Sequence, residues 1–193
     1  AMAKVVWRLR QADYEGSQER MQAQYEALAP WAETGDLAAR AHYWRGFAQW
    51  RRAINGFNDS LSAAELEGDL NRAVDEFRAA FATDTTFTDA QIGELSSLGY
   101  LMFLHRGEMP RLKELAGQMG PVLKRLRATA ADNPRFIWVE GPMLWQRTPE
   151  QGGGPAKAME GYRRGLALIR AGTGRSKDPL DPSWGEPELL MNL

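Results

Sequence analysis

Four side chains that can do chemistry together fall at steps of three, four and three along one stretch: His42, Arg45, Gln49 and Arg52. That spacing puts them on one face of a helix. Two guanidiniums on a shared face can clamp a carboxylate or an acidic side chain by charge-assisted hydrogen bonds. Such a face, turned into a groove between helices, is a way to hold an extended peptide.

The other reactive residue types lack the company they need. Gly152, Gly153 and Gly154 stand ahead of a helical pattern and can offer backbone N–H groups to a phosphate. A phosphate loop also needs a strand before it and Gly-Lys-Ser/Thr after it, and Lys157 comes without either, so a tight turn with close helix packing is expected. The run Gly172-Thr-Gly-Arg-Ser-Lys177 follows a helix and leads into prolines, as a flexible loop does. His42 and His105 complete no His-x-x-x-His or Glu-x-x-His spacing, so no metal site is expected. Ser17, Ser60, Ser96, Ser97, Ser176 and Ser183 have no nucleophile-elbow glycines around them. No carboxylate pair has a reason to divide into an acid and a base, and no catalysis or cofactor is expected.

Composition narrows the classes further. Of 193 residues, 44% are hydrophobic and 25% charged, the balance of a globular domain. The net charge is -1, so no global field draws nucleic acid or an anionic membrane. Arg45, Arg51 and Arg52 lie with Trp44 and Trp50, and Lys124, Arg125 and Arg127 cluster further on. In a charge-balanced chain these read as ordinary surfaces, not a nucleic-acid site. There is no cysteine, hence no disulfide or thiolate site. No apolar run approaches the roughly 20 residues of a membrane span. Ala1-Met2-Ala3 has the look of a trimmed start, which leaves a removed export signal open.

The elements that must position these residues are helices. Lys4 to Arg10 is a mixed stretch, weakly helical or extended, and residues 1–15 are expected to be partly irregular. Ser17 can cap a helix whose apolar face is Met21, Tyr25, Leu28 and Trp31. Asp36 can cap a second helix, through about Asn55. Asn55 to Ser62 is a loop. Leu66, Leu70, Ala73, Val74, Phe77 and Phe81 mark a third helix, Ile92 to Phe103 a fourth, and Pro110 to Ala131 a fifth, with a kink or break at Gly120-Pro121. Phe136 to Trp145 is a short helix, bent or shortened at Gly141-Pro142. Another follows the three glycines, and residues 172–193 are partly irregular with a last helical turn. About seven helices and no convincing strand predict an all-α chain, taken as a single domain over 1–193.

Two of these helices share a signature. Ala73, Phe77 and Ala80 are spaced small, large, small, and so are Ala158, Tyr162 and Gly165. This resembles the second helix of a tetratricopeptide repeat, where small residues let helices cross closely around one aromatic. The proline that should follow is replaced by Thr85 and Arg170, and only Pro134, behind the loose match Val122, Leu126 and Thr129, keeps it. The chain is therefore similar to a degenerate tetratricopeptide-like array of antiparallel helical hairpins. Asn133-Pro134-Arg135, Thr148-Pro149-Glu150-Gln151 with the three glycines, Lys157-Ala158, and Pro182-Ser183-Trp184-Gly185 resemble a family of uncharacterised bacterial tetratricopeptide-like proteins, often exported. A looser similarity is to the accessory component of some periplasmic solute transporters.

The resemblance implies a non-catalytic interaction scaffold holding a peptide or partner surface, with a periplasmic or exported location. The alternative is a carrier of a small hydrophobic or anionic ligand, with Trp44, Trp138 and Trp145 lining a pocket. A closed apolar cavity favours the carrier and an open polar groove the scaffold.

Overall fold

The computed structural model describes residues 1–33, 35–58 and 61–193. Among them are ten α-helices, one 3-10 turn and no strand, so the chain is all-α, with more helices than the seven expected. It divides into two compact units, Ala1–Leu123 and Lys124–Leu193, where one domain over 1–193 is expected from the sequence. No linker composition marks the boundary, because it falls inside the helix Met109–Thr129.

The first unit opens with α1 (Met2–Tyr14), a full helix where an irregular start is expected. Its buried stripe is Met2, Val6, Leu9 and Ala12, a helical period that the Val-Val-Trp run obscures. Ser17 accepts from the Arg20 N–H and starts α2 (Gln18–Ala27). Pro30 sits in the first turn of a separate four-residue helix, α3 (Ala29–Ala32), which splits the one helix expected there. The helix α4 (Ala38–Gly56) starts with no side-chain cap. Ser62 and Glu65 form a capping box at the start of α5 (Ala63–Thr83). The helices α6 (Thr88–Leu104) and α7 (Met109–Thr129) follow. Pro121 lies inside α7, where a kink or a break is expected, and the helix runs on past it to Thr129.

The core of this unit is aromatic. Tyr43, Trp44, Phe47 and Trp50 of α4 are all buried. Tyr43 and Trp44 meet edge to face at 5.2 Å, and Phe47 and Trp50 at 5.7 Å. Trp50 Nε1 donates to Ser96 Oγ of α6 at 3.1 Å. Trp44 is thus part of the buried core. Phe77 of α5 is fully buried between two glycines. A Cβ at Gly46 of α4 would stand 2.9 Å from its ring, and one at Gly93 of α6 would stand 2.4 Å away. Ala73 and Ala80 flank it, both fully buried.

The second unit holds α8 (Pro134–Trp145), a 3-10 turn (Pro149–Gln151), α9 (Pro155–Arg170) and α10 (Glu186–Met191). Pro142 lies inside α8, which is not shortened at Gly141. Ala158 and Tyr162 of α9 are buried, and Tyr162 repeats the arrangement of Phe77: a Cβ at Gly141 would fall 2.2 Å from its ring. A Cβ at Gly165 would lie 3.0 Å from Leu189, so its lack of a side chain lets α10 approach.

The sequence landmarks of the C-terminal third close this unit. Asn133 caps α8, its side chain accepting from the Arg135 N–H at 2.9 Å, with Pro134 in the first turn. The buried Arg135 guanidinium donates to the Gly174 carbonyl at 3.0 and 3.1 Å and to the Trp184 carbonyl at 3.3 Å. Trp184 meets Trp138 edge to face at 5.8 Å, and Gly185 (φ 124°) starts α10.

Candidate functional site

His42, Arg45, Gln49 and Arg52 share a face of α4 as their spacing requires, but that face is a seam against α2 and α5. Its partners on α5 are Asp69, Arg72 and Glu76, themselves three and four apart. His42 Nδ1 and Arg45 Nε each lie 2.7 Å from a Glu76 carboxylate oxygen. Arg72 Nε donates to Gln49 Oε1 at 3.1 Å, and Gln49 Nε2 donates to Gln22 of α2 at 2.8 Å. Arg52 bonds Asp69, which Arg72 also holds at 2.5 Å. Tyr25 of α2 gives its hydroxyl to Glu76 at 3.2 Å and its ring to the Arg45 guanidinium at 3.9 Å. The residue numbers rise along α4 as they fall along α5, so the two helices are antiparallel. The groove clamp expected of these four residues is corrected accordingly: their polar ends bind the protein's own helices. Carboxylates on α5 at matching steps are the reason.

Glu76 is the hub of this seam. Burial pushes its carboxyl up, but hydrogen bonds from His42 and Arg45 outweigh that and hold it below the usual glutamate range. Burial, and the Glu76 charge after it, raise the Tyr25 phenol. A depressed carboxyl contributes stability above its unfolded value of about 4.3, and that stability is lost as pH falls through the lower folded value. Glu76→Gln should therefore unfold at lower urea than the wild type at pH 7, with the gap closing toward pH 3. A gap of equal size at both pH values would show that the Glu76 charge plays no part.

The other expected features resolve simply. Gly152 N–H donates to Pro149 O, Gly153 N–H to Thr148 O and Gly154 N–H to Leu144 O, so all three amides are spent inside the turn. A Cβ at Gly153 would lie 2.6 Å from Leu144 O, the close packing expected there. Arg45 pairs with Glu76, Arg51 with Asp13, Arg52 with Asp69 and Arg127 with Glu140, so these four cations have counter-charges within the protein. Among the described residues, no three of His, Asp and Glu are grouped to hold a metal ion. Trp138 packs on Trp184, and Trp145 is about half exposed.

A different cluster has unspent binding capacity. Since α4 and α5 are antiparallel, and Glu67–His105 and Arg78–Glu94 set α5 and α6 antiparallel as well, α4 and α6 finish at one end of the unit. There Phe57, which follows α4, meets Tyr100 and Phe103 of α6 at ring separations of 5.5 and 5.9 Å. Phe103 is 54% exposed, which is unusual for so large an apolar ring. Arg106 lies over the Phe103 ring at 4.7 Å and donates to the Phe103 carbonyl at 3.0 Å. No carboxylate pairs with Arg106 among the described residues. His105, beside it, is held at both ring nitrogens, by Glu67 at 3.1 Å and Glu108 at 2.9 Å. Half-open rings next to a guanidinium that pairs with no acid among the described residues suit a flat molecule that carries a carboxylate.

No protein-family profile matches the chain, and no curated protein matches it. Its fold is similar to that of the HusA haemophore from Porphyromonas gingivalis. The TM-score is 0.75 over 99% of this chain and 88% of that one, at 15% identity. The likeness is one of fold.

The aromatic cluster escapes the sequence reading because its members come from the ends of two helices and follow no shared period. Phe103 belongs by spacing to the stripe from Ile92 that is expected to be buried, yet it is 54% exposed.

Proposed function

We propose that the chain is a non-enzymatic carrier of a small, flat, anionic ligand, held on Phe57, Tyr100 and Phe103 with Arg106 on its carboxylate. Haem, an aromatic plane with two carboxylates, is the ligand of this class that the haemophore likeness suggests. The observation that carries the reading is Arg106, a guanidinium that pairs with no carboxylate among the described residues and lies against the exposed Phe103 ring. The peptide-scaffold reading expected first from the sequence rests on the α4 face, whose polar groups are engaged within the protein.

Absorbance titration with ferric haem and with metal-free protoporphyrin tests it. Saturable binding is expected for both. Phe103→Ala and Arg106→Glu should each weaken it about tenfold, the size of one aromatic stack or one charge-assisted contact. Wild-type protein that takes up neither porphyrin saturably, or variants that bind as the wild type does, would overturn the assignment.

A further inference from the structure

We infer that the outer face of α1 is a docking strip for an anionic lipid surface. The inference is independent of the carrier reading and rests on a different helix.

Lys4, Trp7, Gln11 and Tyr14 each lie three or four residues from the next along α1, with Arg8 and Arg10 at the flanks, so they form one strip. Its opposite side is the buried stripe Met2, Val6, Leu9 and Ala12, which fixes the helix on the core. Trp7 is 58% exposed and Tyr14 64% exposed. Among the described residues, neither ring packs on another ring, and neither side chain has a hydrogen-bond partner. Lys4, Arg8 and Arg10 have no carboxylate partner among them either. The acids at the end of the helix are spent. Asp13 is buried and accepts from Arg51 at 2.7 Å, and Glu15 pairs with Arg20. Three cations and two large amphipathic rings therefore share a surface that the rest of the described protein leaves unused.

The combination matches a lipid headgroup layer. Trp and Tyr settle at a membrane–water interface, with the ring toward the acyl chains and the polar tip in water. A Lys or Arg close to an anionic leaflet strengthens binding roughly fivefold, so three contribute roughly a hundredfold. The chain as a whole carries a net charge of -1, so this attraction is local to α1 and acts only within about 8 Å at physiological salt. A nucleic acid fits less well. Trp7 and Tyr14 are separated by about 10 Å along the helix axis, far more than the roughly 3.4 Å between neighbouring bases. Because α1 stays packed on the core, only its outward side chains enter the headgroup layer.

The test floats the full chain with vesicles of phosphatidylcholine alone and with vesicles that also contain phosphatidylglycerol. The wild type should bind the anionic vesicles roughly a hundredfold more tightly than the neutral ones, and high salt should abolish the difference. Lys4→Glu/Arg8→Glu should weaken anionic binding at least about tenfold while thermal melting followed by circular dichroism stays as in the wild type, since both side chains are exposed. Brominated lipid should quench part of the tryptophan emission of the bound wild type. Trp7→Phe should lose that quenching, and Trp145→Phe, which alters the other half-exposed tryptophan, should keep it. Equal affinity for neutral and anionic vesicles, no binding to either, a charge-reversed variant that binds as the wild type does, or quenching that survives Trp7→Phe would each overturn the assignment. A single-stranded oligonucleotide held as tightly as the anionic vesicles would overturn the choice of lipid.

Discussion

Truncating Phe77 to alanine should lower the unfolding free energy by about 3–5 kcal/mol, the range for deleting a fully buried aromatic ring. The ring is completely buried, and α4 and α6 both come close to it at glycine. Nothing can collapse easily into the space it leaves, because Gly46 and Gly93 have no side chains to move. Tyr43 and Trp50 would also lose ring contacts, at 5.7 and 6.4 Å. Urea unfolding followed by circular dichroism measures the effect. A loss under about 1 kcal/mol would mean that the ring is not the wedge between α4, α5 and α6. The same geometry works in reverse at Gly93, where an added methyl would meet the Phe77 ring.

Asp69→Ala should cost about as much, roughly 3–5 kcal/mol, for a different reason. The Asp69 side chain is wholly buried, and burial raises its carboxyl while Arg52 and Arg72 oppose that shift. Arg52 is itself mostly buried, and its Nε already lacks a partner. Removing the carboxylate leaves that guanidinium in a poorly hydrated place with less to bind. An Arg52→Met/Asp69→Leu double substitution, which removes both charges, should recover much of the loss. If the double variant is as unstable as Asp69→Ala, the cost lies in packing and not in the stranded charge.

Both predictions bear on what the sequence reveals. The small–large–small spacing around Phe77 and Tyr162 locates buried helix crossings because it encodes shape, and shape at close approach needs particular residue sizes. The glycines on the facing helices, Gly46, Gly93 and Gly141, complete it and are visible only in three dimensions. The spacing of His42, Arg45, Gln49 and Arg52 gives the correct face but not its surroundings. Charges on a helix read as solvated unless a facing helix carries complementary charges in antiparallel order, as Asp69, Arg72 and Glu76 do. The start at α1 is missed because its stripe is short and interrupted by the exposed Trp7. The Phe57, Tyr100 and Phe103 cluster is missed, since rings gathered from two helix ends share no periodicity.

Arg135 has a further consequence, in the timing of folding. Its carbonyl partners lie 39 and 49 residues downstream, whereas the α8–α9 hairpin closes over a much shorter loop. Contacts between near neighbours form first, because closing a longer loop costs more chain entropy. During synthesis α8 therefore has to keep the Arg135 guanidinium hydrated until residues 174–184 have emerged. Only then can that end of the helix dry. The N-terminal end of α8 is thus set to be the last part of its unit to lose water, even though it is made well before residues 174–184.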